Sequence, residues 1–397
     1  MPYSSYLKSR IKILKNSMTN STQNSPSFHL FIQANSPGEI SAWVKPIAIT
    51  AKQYNPNIFI TLYLVPCQYA TKKEADVAKT ISEIDEIIPV NKSLLYLFSL
   101  KKLIKKSKNG AILYLGGDPF YSSRMSSKTG FPAFAYTEHQ NFPTKAFTHV
   151  FFKHKDGDLM AANSQIQHFE RNLIFQKYSL NPKKDYCLIF PGSRPEHFKA
   201  FFKLCLDTVT EIHKSKPYHF IFCISPYISD DLLNESQPDN NTPNITYLRG
   251  NSLELLHIST LMISLPGTNT AEAMYMHCPM YTLCPLNQPK LLILDGLLGL
   301  IVKLPLIGSL ILFIALSILK KKTKFASLPN KLKNEKIVPE FIGIIKPKEQ
   351  AHIVIKLLEN KEKLLSIKER LKQMPISPTH QAIVKKILKS NLHQKND

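Results

Sequence analysis

The feature that most constrains this chain is a unit it repeats: a near-continuous apolar run, a tight turn of small and polar residues, then a stretch with helical periodicity. FHLFIQA (28–34) leads through NSPGE into a helix-like run and on to IFITLYLV. AILYLG (111–116) leads through GDPFYSS, and FPAFAY and HVFFK follow. The second half repeats the scheme. YCLIF enters PGSRPEHFKAFFKLCLDTVTEIHKS and then YHFIFCIS, while LMISL enters PGTNTAEAMYMH and then PMYTLC. Apolar runs of about five to eight residues without alternation suit strands buried on both faces, as in a parallel sheet between helices. At 397 residues the chain exceeds the roughly 250–300 that one core usually holds. Two series of units, with a break near residues 160–185, predict an α/β protein of two Rossmann-like domains facing across a cleft, residues 28–170 and 171–385.

Charge narrows the partners. Lysine and arginine outnumber aspartate and glutamate by 51 to 29, a formal +22. That surplus points to an anionic partner (a nucleic acid, an acidic membrane surface or a phosphorylated substrate), although a lysine-rich proteome would produce it too. With no RNP-type aromatic motif and no paired zinc-finger spacing, nucleic acid is not the expected partner. Cys67, Cys187, Cys205, Cys223, Cys278 and Cys284 lie far apart, several inside apolar runs, and read as buried thiols in a reducing compartment. Neither Cys nor His has metal-ligand spacing, so neither metal nor cofactor is expected. Residues 1–27 are basic, and the first acidic residue is Glu39; lacking the apolar core of a secretory signal, they read as a disordered or amphipathic arm, with a transit peptide as the alternative.

LLILDGLLGLIVKLPLIGSLILFIALSIL (291–319) departs from the repeat. Its uncharged part, Leu304–Leu319, has 16 residues where a spanning helix needs about 20. Pro305 and Gly308 weaken its first turns, and Lys320-Lys321-Lys322 follow. A buried hairpin, a true span and a segment dipping into one leaflet all remain open. The flanking lysines favour the last, a monotopic contact with anionic headgroups.

The turns after strands are where a parallel sheet binds ligands. In Pro266-Gly267-Thr268-Asn269-Thr270-Ala271-Glu272, Gly267 admits close backbone approach, and Thr268 and Thr270 offer hydroxyls at a helix start that would favour a pyrophosphate. Glu272 could accept from ribose hydroxyls. The plain alternative is an N-capped helix with Thr268 as the cap. Pro191-Gly192-Ser193-Arg194 occupies the same position in another unit; Arg194 opposes the helix dipole there, which a phosphate would explain, as would pairing with Glu196. The turn lacks the GK[ST] of a P-loop, so ATP hydrolysis is not expected. Asp118, at the end of AILYLGGD, is a candidate general base or simply Asp-Pro turn chemistry. Glu39, beside Gly38 in the first turn, and Glu138, in AYTEHQ, are similar but weaker candidates. His139 and His277 read as structural, and without a GxSxG elbow or a Ser-His-Asp order hydrolases are set aside.

IFPGSRPEHFK, SLPGTNTAEAMYMHCPMYTL and SLPNKLKNEKIVPEFIG, in this order and spacing, resemble lipid-A-disaccharide synthase and its related glycosyltransferases, over roughly residues 28–385. The resemblance implies a GT-B architecture and inverting transfer of a sugar from a UDP-activated donor to a phosphorylated lipid sugar, at the inner membrane face, by a cytoplasmic peripheral protein. By motif, Ser193, Arg194, Gly267, Thr268, Thr270, Glu272 and Asn330 would line the UDP-sugar site, Asp118 would match the family's essential aspartate, and Gly38 and Glu39 would fill the family's small-residue first turn. The chain departs from the family on the acceptor side: SPGE stands for SGE or SGD, GGDPF for a two-aspartate element, AYTEHQNFPTKAF for SP-x-x-WAW, and GDLMAAN for HP-x-x-D. A UDP-sugar epimerase of the same fold and a non-catalytic membrane-associated relative are the competing readings. Retention of both PGSR and GTNTAE weighs against the latter.

Overall fold

The structure, a computed structural model, describes residues 26–66, 73–98, 106–167, 169–237, 244–285, 324–375 and 377–390. The membrane-contact expectation for 291–319, and that for the arm up to residue 25, lie outside the described residues. No described helix is long and apolar enough to cross a membrane.

Among the described residues, twelve strands form two all-parallel six-stranded sheets. In chain order they are β1 Phe28–Ala34, β2 Ile58–Leu64, β3 Glu86–Ile88, β4 Gly110–Tyr114, β5 Ala133–Thr137, β6 His149–Phe152, β7 Tyr186–Phe190, β8 His219–Cys223, β9 Ile245–Leu248, β10 Leu261–Ser264, β11 Met280–Pro285 and β12 Glu340–Gly343. The first sheet runs β3-β2-β1-β4-β5-β6 and the second β12-β11-β10-β7-β8-β9, the same winding read from opposite ends. The apolar runs explain this: β1, β4, β5 and β7 are buried along their whole length, so helices must cover both faces. In each sheet the winding reverses next to the first strand, between β1 and β4 and between β7 and β10. These reversals open the crevices where such sheets take ligands.

Two polar side chains inside β1 have specific work. His29 meets the Thr61 hydroxyl at 2.8 Å, and burial lowers its pKa to about 4, so the ring is neutral there. Gln33 donates to the carbonyls of Gly116 (2.7 Å) and Asp118 (3.0 Å) and accepts from Ser122 Oγ (2.6 Å). That buried amide ties the turn after β4 to the end of β1.

The sequence pattern carries the second domain to residue 385. Instead, the final helix, His380–Ser390, returns to the first: Ile383, Val384 and Ile387 lie in the core with Ile47, Ala48 and Ala51 of the helix Lys45–Tyr54. Its apolar face completes a surface that the first sheet's own helices leave uncovered.

Candidate active site

The turn after β1 folds tightly because its own side chains close it. Ser36 caps the helical turn Pro37–Glu39, and the Glu39 carboxylate reaches back to the amides of Asn35 (2.8 Å) and Ser36 (3.2 Å) in a capping box. A π turn, Ile40–Val44, follows before the helix Lys45–Tyr54. The carboxylate lies against Gly116, where any Cβ would overlap it. Sequence reading gave Gly116 no role, because the contact joins residues 77 apart in the chain, Glu39 and Gly116. Burial pushes the Glu39 pKa up to about 7, against the pull of the Asn35 and Ser36 amides and the Ser36 hydroxyl. Gly38 is exposed with open space around it, so nothing in the protein itself forbids a side chain there.

Asp118 sits across the same crevice, exposed, and caps the helix Pro119–Thr129 through the Phe120 amide at 2.8 Å. The crevice thus pairs a desolvated acid with an exposed, capping one.

At the second crevice the turns after β7 and β10 bring Ser193, Arg194, Gly267 and Thr268 to one sheet end, all at least partly exposed. Gly267 holds φ +150°, a conformation that side-chain-bearing residues rarely adopt, and faces open space. It starts the helix Thr268–Tyr275 without a side-chain cap, so Thr268 is not the cap. The Thr270 amide bonds the Gly267 carbonyl at 3.1 Å, while the Thr268 and Asn269 amides, at the very start of the helix, have no carbonyl one turn back to bond. Thr270 turns inward: its hydroxyl donates to the Gly267 carbonyl (2.8 Å) and accepts from the Leu328 amide (3.3 Å).

Asn330 lines no crevice. It is fully buried, donating to the Val338 carbonyl (2.9 Å) and accepting from the Ile337 and Val338 amides (2.7 and 2.9 Å). Glu340 accepts from the Ala326 and Ser327 amides and from the Ser327 hydroxyl. The LPN and VPE elements therefore form a clasp: each polar side chain closes the same loop from one end.

Glu272 stands at the boundary between the sheets. Burial raises its pKa to about 7, while the Ser252 hydroxyl and the charge of Lys45 pull it down. The two crevices face each other. The Tyr227 hydroxyl, beyond β8, donates to the Pro37 carbonyl at 3.1 Å and meets Ser41 at 3.4 Å. Asn163 of the linker donates to the Ala42 carbonyl at 3.0 Å, and Trp43 packs against the cores of both halves.

Two Rossmann-like units with opposed crevices are the GT-B class of fold, common to glycosyltransferases and UDP-sugar epimerases. The lipid-A-disaccharide synthetase family model matches residues 157–321, a stretch that contains both PGSR and GTNTAE, and over that stretch the chain is similar to the family. Lipid-A-disaccharide synthase 2 of Legionella pneumophila (strain Lens) is 26% identical over 169 residues, 42% of this chain and 38% of that protein. The chain spans less than half the length of the curated relatives it matches. Among solved structures, UDP-GlcNAc 2-epimerase from Neisseria meningitidis bound to UDP-GlcNAc overlays with a TM-score of 0.54 at 14% identity, covering 91% of this chain and 100% of that one. The UDP-GlcNAc 2-epimerase of Methanocaldococcus jannaschii gives 0.51 at 12% identity, covering 91% and 99%. At such identities the overlays speak to the fold alone.

Proposed function

We propose that this protein is an inverting glycosyltransferase that moves a GlcNAc-type sugar from a UDP donor to a lipid-linked or phosphorylated sugar acceptor at the inner face of an anionic membrane. The first half is the acceptor domain and the second the nucleotide-sugar domain. The observation that carries this reading is the geometry of Glu39: a carboxyl group held by the Asn35 and Ser36 amides and lying against Gly116, in the crevice opposite an open helix start. A base must be ionised at working pH yet basic enough to take a proton, and a pKa near 7 meets both demands.

In the reaction the acceptor hydroxyl attacks the anomeric carbon, its proton passes to Glu39, and the bond from that carbon to the diphosphate oxygen breaks. The charge left on UDP is met by the first amides of the helix Thr268–Tyr275 and by Arg194, placed where charge develops. Glu272 accepts from the ribose hydroxyls. Both carboxyl groups accept from backbone amides, and Glu39 is taken as the base because it is the one desolvated by burial.

Titration calorimetry with UDP and UDP-GlcNAc, with Arg194→Ala and Glu272→Ala alongside, tests the donor site. Micromolar binding weakened by both substitutions is expected. A folded protein that binds no uridine nucleotide would sink the transferase reading. Because the epimerases share the fold, UDP-GlcNAc is also incubated without acceptor: an epimerised sugar in the product would favour that alternative.

A further inference from the structure

We propose that Tyr227, a side chain of the second half, is a positioning residue for Glu39 in the first. The proposal deepens the function read above and rests on it. Tyr227 lies in the turn that follows β8, at the carboxyl end of the second sheet. Its hydroxyl donates to the Pro37 carbonyl at 3.1 Å and meets the Ser41 hydroxyl at 3.4 Å. Those residues stand two before and two after Glu39, so one hydroxyl from the opposite half brackets the residue that carries the carboxyl group. Tyr227 is 5% exposed, and Pro37 is buried with it. A buried phenol hydroxyl needs a partner, and this one spends its donor on the turn of Glu39.

The bracket closes a weak piece of backbone. Pro37–Glu39 is a single helical turn, and Ile40–Val44 after it is a π turn, a rare device most often found at functional sites. A helical turn this short does not hold itself. Tyr227, by contrast, is firmly mounted. The Ile228 amide closes its turn on the Ser225 carbonyl at 3.1 Å, and the Tyr227 amide bonds the Ser225 hydroxyl at 3.4 Å. Arg249, just after β9, donates to the Ser225 carbonyl at 2.9 Å and pairs with Asp230 at 2.7 Å. From the first half, Lys73 donates to the Ile228 carbonyl at 3.1 Å. The mount is thus gripped from both halves, and it hands that rigidity to the turn of Glu39.

The base is therefore set against Gly116 only while the two halves are docked. With the bracket released the turn loosens, water reaches the carboxyl group, and the burial that raises its pKa is relieved, so its titration moves down. Several titratable groups face this region. Asp118 and Tyr114 lie across the crevice, Tyr114 being raised by burial and by the charges of Glu39 and Asp118. Lys73, Glu74 and Asp76 stand at the start of the helix Glu74–Ala78, which packs on the π turn. Asp158 precedes the linker turn Leu159–Ser164, and Lys45 opens the next helix. Burial pushes the Tyr227 pKa up to about 12, so the phenol stays neutral around pH 7. Replacing it by phenylalanine removes no charge from any of these groups, and a shift at Glu39 then reports on its hydration.

The test is a titration of the Glu39 carboxyl group by carboxyl-carbon NMR on the full chain labelled at glutamate, for the wild type, Tyr227→Phe and Ser41→Ala, with Glu39→Gln identifying the signal. UDP affinity by calorimetry, and UDP release from UDP-GlcNAc with N-acetylglucosamine 1-phosphate as acceptor probe, run alongside. The expected result for Tyr227→Phe is a titration midpoint lower by about half a unit to one unit. Turnover should fall about fivefold, the size of one ordinary hydrogen bond, with the UDP dissociation constant unchanged. Ser41→Ala should move both readouts the same way by less, and Tyr227→Phe should cost nothing further in the Glu39→Gln background. If Tyr227→Phe does not fold, Ser41→Ala, which removes the hydroxyl's other partner, carries the test. A midpoint that stays at the wild-type value, or a loss that multiplies with that of Glu39→Gln, would make Tyr227 a purely structural residue and overturn the proposal. A folded wild type that binds no uridine nucleotide would instead overturn the underlying reading, while the titration, which needs no ligand, still decides whether Tyr227 sets Glu39.

Discussion

The two crevices share one winding and are finished in opposite ways. At the first, protein atoms fill the space: Glu39 is wedged against Gly116, held by two amides and desolvated. At the second, the turn is left open: Gly267 faces empty space and Thr268 and Ser193 are exposed. The same topology thus yields one turn packed around a single acid and one turn left open at its sheet end. Proton transfer needs a fixed environment for a single group, whereas a diphosphate brings its own bulk and asks only for unpaired donors.

The largest test of this division is Glu39→Gln, expected to lower turnover by about 10²–10⁴ while leaving the UDP dissociation constant within a factor of a few, measured by sugar-transfer assay and calorimetry. Equal loss in both would mean that the first crevice is not specialised for proton transfer. Arg194→Ala should cost on the order of 10²–10³ in rate by removing charge stabilisation at the open crevice, visible in single-turnover kinetics. Gly116→Ala sharpens the contrast, because the added methyl must displace the Glu39 carboxylate. Overpacking there should cost about 1–3 kcal/mol in denaturant unfolding and most of the activity. Asn330→Ala should cost about 3 kcal/mol by orphaning buried amides without changing UDP affinity. Asp118→Asn should be nearly silent in both assays, since asparagine caps as well as aspartate.

The raised acids also set a pH dependence of stability. Glu39 and Glu272 hold their protons up to about 7 when folded and release them near 4.5 when unfolded. Between those values the native state binds more protons, so stability falls as pH rises from about 4.5 to 7 and levels off above. Thermal unfolding across that range should show the decline, and Glu39→Gln should flatten part of it. Turnover moves the other way, climbing through pH 7 as the base ionises.

How much of this was legible in the sequence depended on the range of the interaction. Unalternating apolar runs give the strands, and short turns after them give the crevices, because both signals lie within ten residues. The roles of Gly116 and Gln33 were not legible, since each acts on a partner far along the chain. Asn330 was misleading for a related reason. Its motif predicts a nucleotide contact, yet its carboxamide is used up by Ile337 and Val338, a closure that only the folded loop reveals. Asp118 and Glu39 look equivalent on paper, and only burial separates them.

The returning helix, His380–Ser390, has a practical bearing on how this molecule can be taken apart. A fragment ending near residue 170 would present the seat of Ile383, Val384 and Ile387 as a bare oily groove, prone to clumping. The second half, made alone, would carry an unanchored amphipathic tail. A sound dissection keeps that tail with the first half, grafted behind a short linker or supplied as a separate peptide.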